Sequence, residues 1–307
     1  MKRVKERYQN ALGEFVSQVK EDRYVIAAIV VGSYAQDTLW EKSDIDLVLI
    51  VDDTKNPIHF ESFTQDDIQL NTWIYTRQQF KRAYEAVPGS NNFLSFLSNA
   101  KCLFCKDSTL ENYVNEMNVL EEEFKSGLLL SQGALAVAHY IKSQKYLIAQ
   151  EDVYSCFVEM LRLADILARI EILLHDQIPQ KDVMKDALQW NSELFHQLSV
   201  CLMNEPKTEE FLSDVLKSSL QYIKLHEKQL FQPIFEILSE ISATVSLSYI
   251  YEQILGVCYI EKDLFVEAME WLVKEGFIEK YATSVRVTAK SKTMVYEAAY
   301  SYEGGVI

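Results

Sequence analysis

Basic residues are in deficit in this 307-residue chain, with 30 Lys and Arg against 45 Asp and Glu and a formal net charge of −15. Polyanions select basic surfaces, so this balance argues against broad attraction to nucleic acid or to an anionic membrane. No apolar run reaches membrane-spanning length. The start, Met1-Lys2-Arg3-Val4-Lys5, is basic, but an amphipathic pattern follows it, with Val4, Tyr8, Leu12, Phe15 and Val19 near helical spacing, rather than the apolar core of a signal segment. A cytoplasmic protein without membrane association is expected. Cysteine is sparse and odd in number, five, which fits reduced thiols rather than a disulfide framework. Cys102 and Cys105 form a Cys-x-x-Cys with no second pair to complete a zinc site, and the alternation around them fits a strand carrying structural cysteines. The 49% hydrophobic content supports packed cores, and the length predicts two or three domains.

Glycine is also scarce, nine residues, and one of them stands at the most informative place. Tyr24–Val31 is almost wholly apolar, as suits a strand covered on both faces, and it runs directly into Gly32-Ser33. A turn there exposes backbone N–H groups that, with the Ser33 hydroxyl, can cradle a phosphate, while Gly32 permits close approach. Ten residues later come Asp44 and Asp46, separated by Ile45 and followed by the buried-strand pattern Leu47-Val48-Leu49-Ile50. Residues two apart on a strand share a face, about 7 Å apart at the backbone. Two such carboxylates reach a metal pair, and their hard oxygens suit Mg²⁺. Burying them without a cation or hydrogen-bond donors would be costly.

These residues resemble the signature of the nucleotidyltransferase superfamily that includes DNA polymerase β and kanamycin nucleotidyltransferase: Gly-Ser, a spacer, then Asp-x-Asp. Gly32, Ser33, Asp44 and Asp46 match it, Ala35 fits the common Gly-Ser-x-Ala form, and Asp37 stands where many members have glycine. The resemblance covers about the first 110 residues. It implies Mg²⁺ and a nucleoside triphosphate, ATP as first choice, with a nucleoside monophosphate passed to a small-molecule or protein acceptor. The acidic composition favours a small or cationic acceptor. The family normally adds a third carboxylate from a later strand. The matching segment is Ile68–Thr76, followed by a helix opening at Arg77, and Asn71 occupies the acidic position. An amide oxygen ligates a metal weakly and accepts no proton as a carboxylate does. Asp67 shares strand parity with Asn71 but lies about 13 Å away along an extended strand. Glu159, Asp165 and Glu171 are alternative base donors from a following helical domain, each with an ordinary reading as a solvated or ion-paired helix residue.

The expected fold class is α+β, with a polymerase β-like mixed sheet and helices over residues 1–111, a helical bundle over 112–245 and a winged-helix-like domain over 246–307. Leu128–Ile148 and Val153–Leu174 read as an antiparallel helix pair. A third helix is expected near Asp182–Asn204 and a fourth from after Thr208 to about Gln232, where Pro233 interrupts. Arg169 and His175 have a spacing compatible with helical-superfamily ribonucleases, although a histidine near a helix C-terminus is also favourable structurally. In the last segment, helices near Ser246–Val257 and Lys262–Glu275 are ended by Gly276. Phe277-Ile278 and Val285–Val287 are expected as wing strands, with a closing helix capped by Thr288 or Ser291. Acids outnumber lysines on Lys262–Glu275, which disfavours DNA and points to packing, a homodimer or a protein partner. Trp271 is expected in the core. An adaptor of weak catalytic power that binds nucleotide and uses the winged module for its partner is the second functional reading, and Asn71 favours it. A DNA-binding regulator is a third, more remote one.

Overall fold

The computed structural model describes residues 2–52, 59–90, 93–180, 182–241, 243–288 and 290–302. It divides into two compact units, Met1–Ala86 with Asn91–Val119, and Val87–Ser90 with Leu120–Ile307.

The first unit opens with helix α1 (Lys2–Glu21), whose Tyr8, Ala11, Leu12 and Phe15 lie three or four residues apart and are buried. Strand β1 (Val25–Val31) follows, and all seven of its residues are buried, as its unbroken apolar run requires. Then come the single turn α2 (Gly32–Ala35), β2 (Ile45–Val51), β3 (His59–Gln65), β4 (Ile68–Thr76), α3 (Arg77–Tyr84), α4 (Phe93–Leu97), β5 (Lys101–Cys105) and α5 (Glu111–Glu116). The sheet order is β3-β4-β2-β1-β5, with β2 and β4 parallel and the other pairs antiparallel, so the sheet is mixed, as the α+β reading expects. Ile45, Leu47, Ile68 and Leu70 pack on α1, while Val48, Ile50 and Tyr75 pack with Phe80, Phe93 and Leu110 on the other face.

β4 and α3 fall where the sequence places them. Thr76 caps α3 by accepting from the Gln79 N–H, and the Gln79 side chain accepts from the Thr76 N–H at 2.8 Å. Strand β3 had no sequence signal, because five of its seven residues are exposed. It joins β4 through Asp66-Asp67, with φ of 49° and 59°, the left-handed pair that a two-residue hairpin turn of matching twist demands. Asp67 therefore sits in the turn and not on β4, which removes it as a substitute for Asn71.

In the second unit α6 (Glu122–Gln144) continues through a π turn, Lys145–Ala149, to α7 (Val153–Leu174). Contacts of Lys125 with Asp176 and of His139 with Glu159 show the pair to be antiparallel. The expected third helix is divided into α8 (Val183–Trp190), α9 (Ser192–His196) and, after another π turn, α10 (Leu202–Asn204). The break is Asn191, whose side chain accepts from the Leu194 N–H and starts a new helix. The fourth is likewise α11 (Glu209–Leu225), capped by Thr208, then α12 (Glu227–Leu230) and α13 (Gln232–Glu240). Pro233 starts α13 instead of kinking a longer helix, since its missing N–H costs nothing in a first turn.

The remaining elements are β6 (Val245–Ser246), α14 (Leu247–Ile254), α15 (Lys262–Lys274), β7 (Glu279–Arg286) and β8 (Met294–Ser301), with sheet order β6-β8-β7. Gly276, at φ 80°, ends α15 with paired bonds from Gly276 N–H to Val273 O and from Phe277 N–H to Leu272 O. The wing strands differ from expectation, and the closing helix is replaced by β8. Met294–Ser301 pairs residue for residue with β7, and its Val295, Tyr296 and Tyr300 suit a strand better than the Thr288 and Ser291 caps suit a helix. Trp271 is buried as expected, with ring centroids 5.7 Å from Phe231 and 5.8 Å from Phe277. One core cluster contains Leu130, Leu167 and Phe231 together with Phe265 and Leu272, so the 112–245 and 246–307 segments share it. No helix among the described residues is long and apolar enough to cross a membrane.

Candidate functional site

The buried β1 strand delivers Gly32 to the sheet end, with Val31 opposite Asp46 on β2. Gly32 has φ of 66°, and a Cβ built on it would lie 2.5 Å from Asp46 Oδ2. Backbone and carboxylate are thus pressed together as only glycine allows. The turn is closed by hydrogen bonds from Gln36 N–H to Gly32 O at 3.1 Å and from Thr38 N–H to Ser33 O at 3.0 Å. The Ser33 hydroxyl is half-buried and has no hydrogen-bond partner among the described residues. Asp37 adopts φ of 58° and pairs with Lys5 at 2.8 Å. The left-handed geometry explains why glycine suits this position in the resembled family, and aspartate is among the few other residues that tolerate it.

Asp44 lies one residue before β2 and Asp46 is the strand's second residue, so Asp44 is aimed by the preceding loop rather than by strand alternation alone. Parallel pairing sets Asp46 beside Asn71 on β4. The Asn71 amide N–H donates to Asp44 Oδ2 at 2.5 Å, and Asn71 Oδ1 accepts from Gln69 Nε2 at 2.9 Å. All five residues singled out in the sequence, Gly32, Ser33, Asp44, Asp46 and Asn71, therefore belong to one sheet end, Ser33 through its chain neighbour Gly32. Burial, and next the Asp44 charge, push the Asp46 carboxyl above its ordinary range, with the amide of its strand neighbour Asn71 opposing them.

Among the described residues no cluster of three or more His, Cys, Asp or Glu could hold a metal. Two carboxylates nevertheless fit Mg²⁺, which keeps several waters and is commonly held by one or two carboxylates plus substrate phosphates, while the Asn71 amide turns its N–H to Asp44 and its oxygen to Gln69. The raised Asp46 carboxyl and the Asp44 charge beside it give a cation something to neutralise.

The helical candidates are each engaged elsewhere. Buried Glu159 is shared by His139 at 2.7 Å, Arg162 at 2.8 Å and Lys142 at 3.0 Å. Burial alone would raise its carboxyl, and the Lys142 and His139 interactions more than offset this and hold it low. Asp165 pairs with Arg169 at 2.8 Å, and Glu171 accepts from the Tyr222 hydroxyl at 2.6 Å and meets His175 at 3.3 Å. His175 also stacks on Trp190 at 4.4 Å. Arg169 and His175 thus answer to different carboxylates, as structural residues do. Glu159→Ala is expected to lower stability by about 1–3 kcal/mol, less than the loss of a wholly buried pair because Lys142 and Arg162 are about half-exposed. Denaturant unfolding checks this, and loss of activity in the still-folded variant would instead return Glu159 to the chemistry. Cys102 and Cys105 lie on β5 as free thiols.

Residues 14–109 match the family described as polymerase beta, nucleotidyltransferase. No curated protein matches the chain. Among solved structures, a nucleotidyltransferase-like protein from Exiguobacterium sibiricum is similar at a TM-score of 0.67 and 13% identity, covering 97% of this chain and 100% of that one, a likeness of fold. The matched segment runs from within α1 past β5 and carries the Gly-Ser turn and both aspartates, so the chain contains, over residues 14–109, a domain of the polymerase β-like nucleotidyltransferase kind.

Proposed function

We propose that the protein is a Mg²⁺-dependent nucleotidyltransferase that passes a nucleoside monophosphate from an NTP, ATP first, to a small-molecule or protein acceptor. The carrying observation is the convergence of the Gly32 turn, Asp44, Asp46 and Asn71 at one sheet end within the family-matched segment. In the reaction an acceptor oxygen or similar nucleophile forms a bond to the α-phosphorus, the bond to the bridging oxygen breaks, and pyrophosphate leaves. The turn N–H groups and the Ser33 hydroxyl bind phosphate oxygens, and Asp44 and Asp46 hold the cation. When bound, Mg²⁺ neutralises phosphate charge and stabilises the charge that develops on the leaving group. Asn71 positions Asp44 by donating to it, and accepts no proton. The acceptor's proton must therefore go to another base or to solvent.

Thermal unfolding of wild type and Asp46→Ala with each of the four NTPs, with and without Mg²⁺, tests the site. Saturating ligand at a hundred times Kd should stabilise the wild type by about 2.7 kcal/mol. Stabilisation that requires both Mg²⁺ and Asp46 is expected, and no shift with any NTP would remove the proposal.

Asn71 also favours a second reading, an adaptor that binds nucleotide and transfers it poorly. The order β6-α14-α15-β7-β8 supports a winged-helix module, and the acids Asp263, Glu267 and Glu270 on α15 favour a protein partner or a second copy over DNA. Asn71→Asp separates the two readings. It replaces a donor to Asp44 by a third negative charge, so the Mg²⁺-free protein should lose stability. A gain in transfer of tenfold or so, about 1.4 kcal/mol in the barrier, identifies a degenerate site, whereas unchanged or lower transfer identifies a working enzyme adapted to the amide.

A further inference from the structure

The second unit contains a cavity of about 830 Å³ lined from α6, α11 and α15, within the range of small-molecule sites. Tyr140, Leu220, Val266 and Trp271 supply apolar and aromatic walls. Asp263, Glu267, Glu270 and Glu275 line it with Lys262 and Lys274, and the negative charge is uneven in its compensation rather than in its total. Two of the four acids are already compensated: Glu270 by Lys280 at 2.5 Å and the Tyr300 hydroxyl at 3.1 Å, and Glu275 by Lys224. Lys262 lies over the Tyr251 ring, 5.4 Å from its centroid.

Asp263 and Glu267 have no ion pair or hydrogen bond among the described residues, and they stand one turn apart on α15, where like charges repel. Burial, and next the Asp263 charge, push the Glu267 carboxyl up. His139 opposes this weakly, its imidazole being held by Glu159. The Trp271 indole N–H, in a side chain 3% exposed, also lacks a partner. Among the described residues no cluster here could hold a metal, and the apolar walls suit a ligand with an organic body. Tyr140 and Trp271 add ring faces that attract cations.

The geometry points to a binding site for a small organic cation, a protonated amine on an aromatic or alkyl body, with the ammonium between Asp263 and Glu267 and the body against Tyr140, Val266 and Trp271. The assignment is independent of the nucleotide reading, because every residue in it belongs to the second unit. Calorimetric titration of the full chain with three probes of one shape tests it: 1-naphthylmethylammonium, 1-naphthylmethanol and 1-naphthoate. The ammonium should bind at least about tenfold tighter than the alcohol, and the carboxylate not at all. The double variant Asp263→Asn/Glu267→Gln should reduce the ammonium to the affinity of the alcohol while unfolding at the wild-type temperature or higher, which separates lost charge from lost fold. Asp46→Ala should bind the ammonium as wild type does, so failure of the nucleotide site would leave this result standing. Equal binding of the three probes, no binding of the ammonium, or undiminished binding by the double variant would each overturn the assignment.

Discussion

Asp46→Asn is expected to lower nucleotidyl transfer by more than about a hundredfold and, at neutral pH, to raise the thermal stability of the ligand-free protein. The loss of activity follows from removing one of only two carboxylates at the proposed cation site, and losses of about 10²–10³ are typical when a single preorganised electrostatic contact is deleted. The gain in stability follows from the direction of the Asp46 shift. Its carboxyl is raised above the ordinary 3.8 by burial and then by Asp44, so ionised Asp46 opposes folding. The folded state here binds protons more tightly than the unfolded one, the reverse of a salt-bridged aspartate. The cost is fully present above the folded pKa, shrinks as pH falls through it, and is gone below the unfolded value near 3.8. An asparagine carries no such cost at any pH and can donate to Asp44.

Unfolding temperatures of both proteins between pH 3 and 8 should therefore diverge toward neutral pH and converge in acid. Adding Mg²⁺ and NTP should reverse their order, since only the wild type gains from the ligand. Superimposable curves across the range would show that Asp46 is not electrostatically strained, and an unreversed order with ligand would show that it does not hold the cation.

Gly32→Ala should damage both fold and site. At φ 66° an L-residue costs roughly 1–2 kcal/mol, and the new methyl would lie 2.5 Å from Asp46 Oδ2, so the carboxylate or the turn must move. A total of about 2–3 kcal/mol in unfolding free energy and loss of nucleotide-dependent stabilisation are expected. Gly276→Ala is the matched control: its φ is 80°, but nothing lies within 4 Å of the added Cβ. It should show the backbone cost alone and keep full nucleotide stabilisation. If Gly32→Ala proves no worse than Gly276→Ala and still responds to nucleotide, the close approach of Gly32 to Asp46 has no bearing on the site.

Much of this molecule is written in local pattern. The unbroken apolar run of β1, the Gly32-Ser33 turn, the aspartates ahead of Leu47–Ile50, the limits of β4 and the pairing of α6 with α7 could all be read directly, because periods of two and of about 3.6 residues report which faces are buried. β3 could not, since an edge strand with exposed side chains exists by virtue of the hydrogen bonds that β4 offers it. β8 is hidden for the same reason: its partner β7 decides its state.

The sequence by itself determined the chemistry available at the N-terminal site, because residue type and spacing carry the Gly-Ser turn and the paired acids. Only the tertiary structure decided what those residues do to one another. The Asn71 amide serves as a donor to Asp44, Asp67 is consigned to a turn, Glu159 is enclosed by His139, Lys142 and Arg162, and Asp263 and Glu267 are left facing a cavity without an ion pair among the described residues. The bond from Asn71 to Asp44 and the contact of Glu159 with His139 join segments distant in the chain, and such relations depend on distances of a few ångströms that no local pattern encodes.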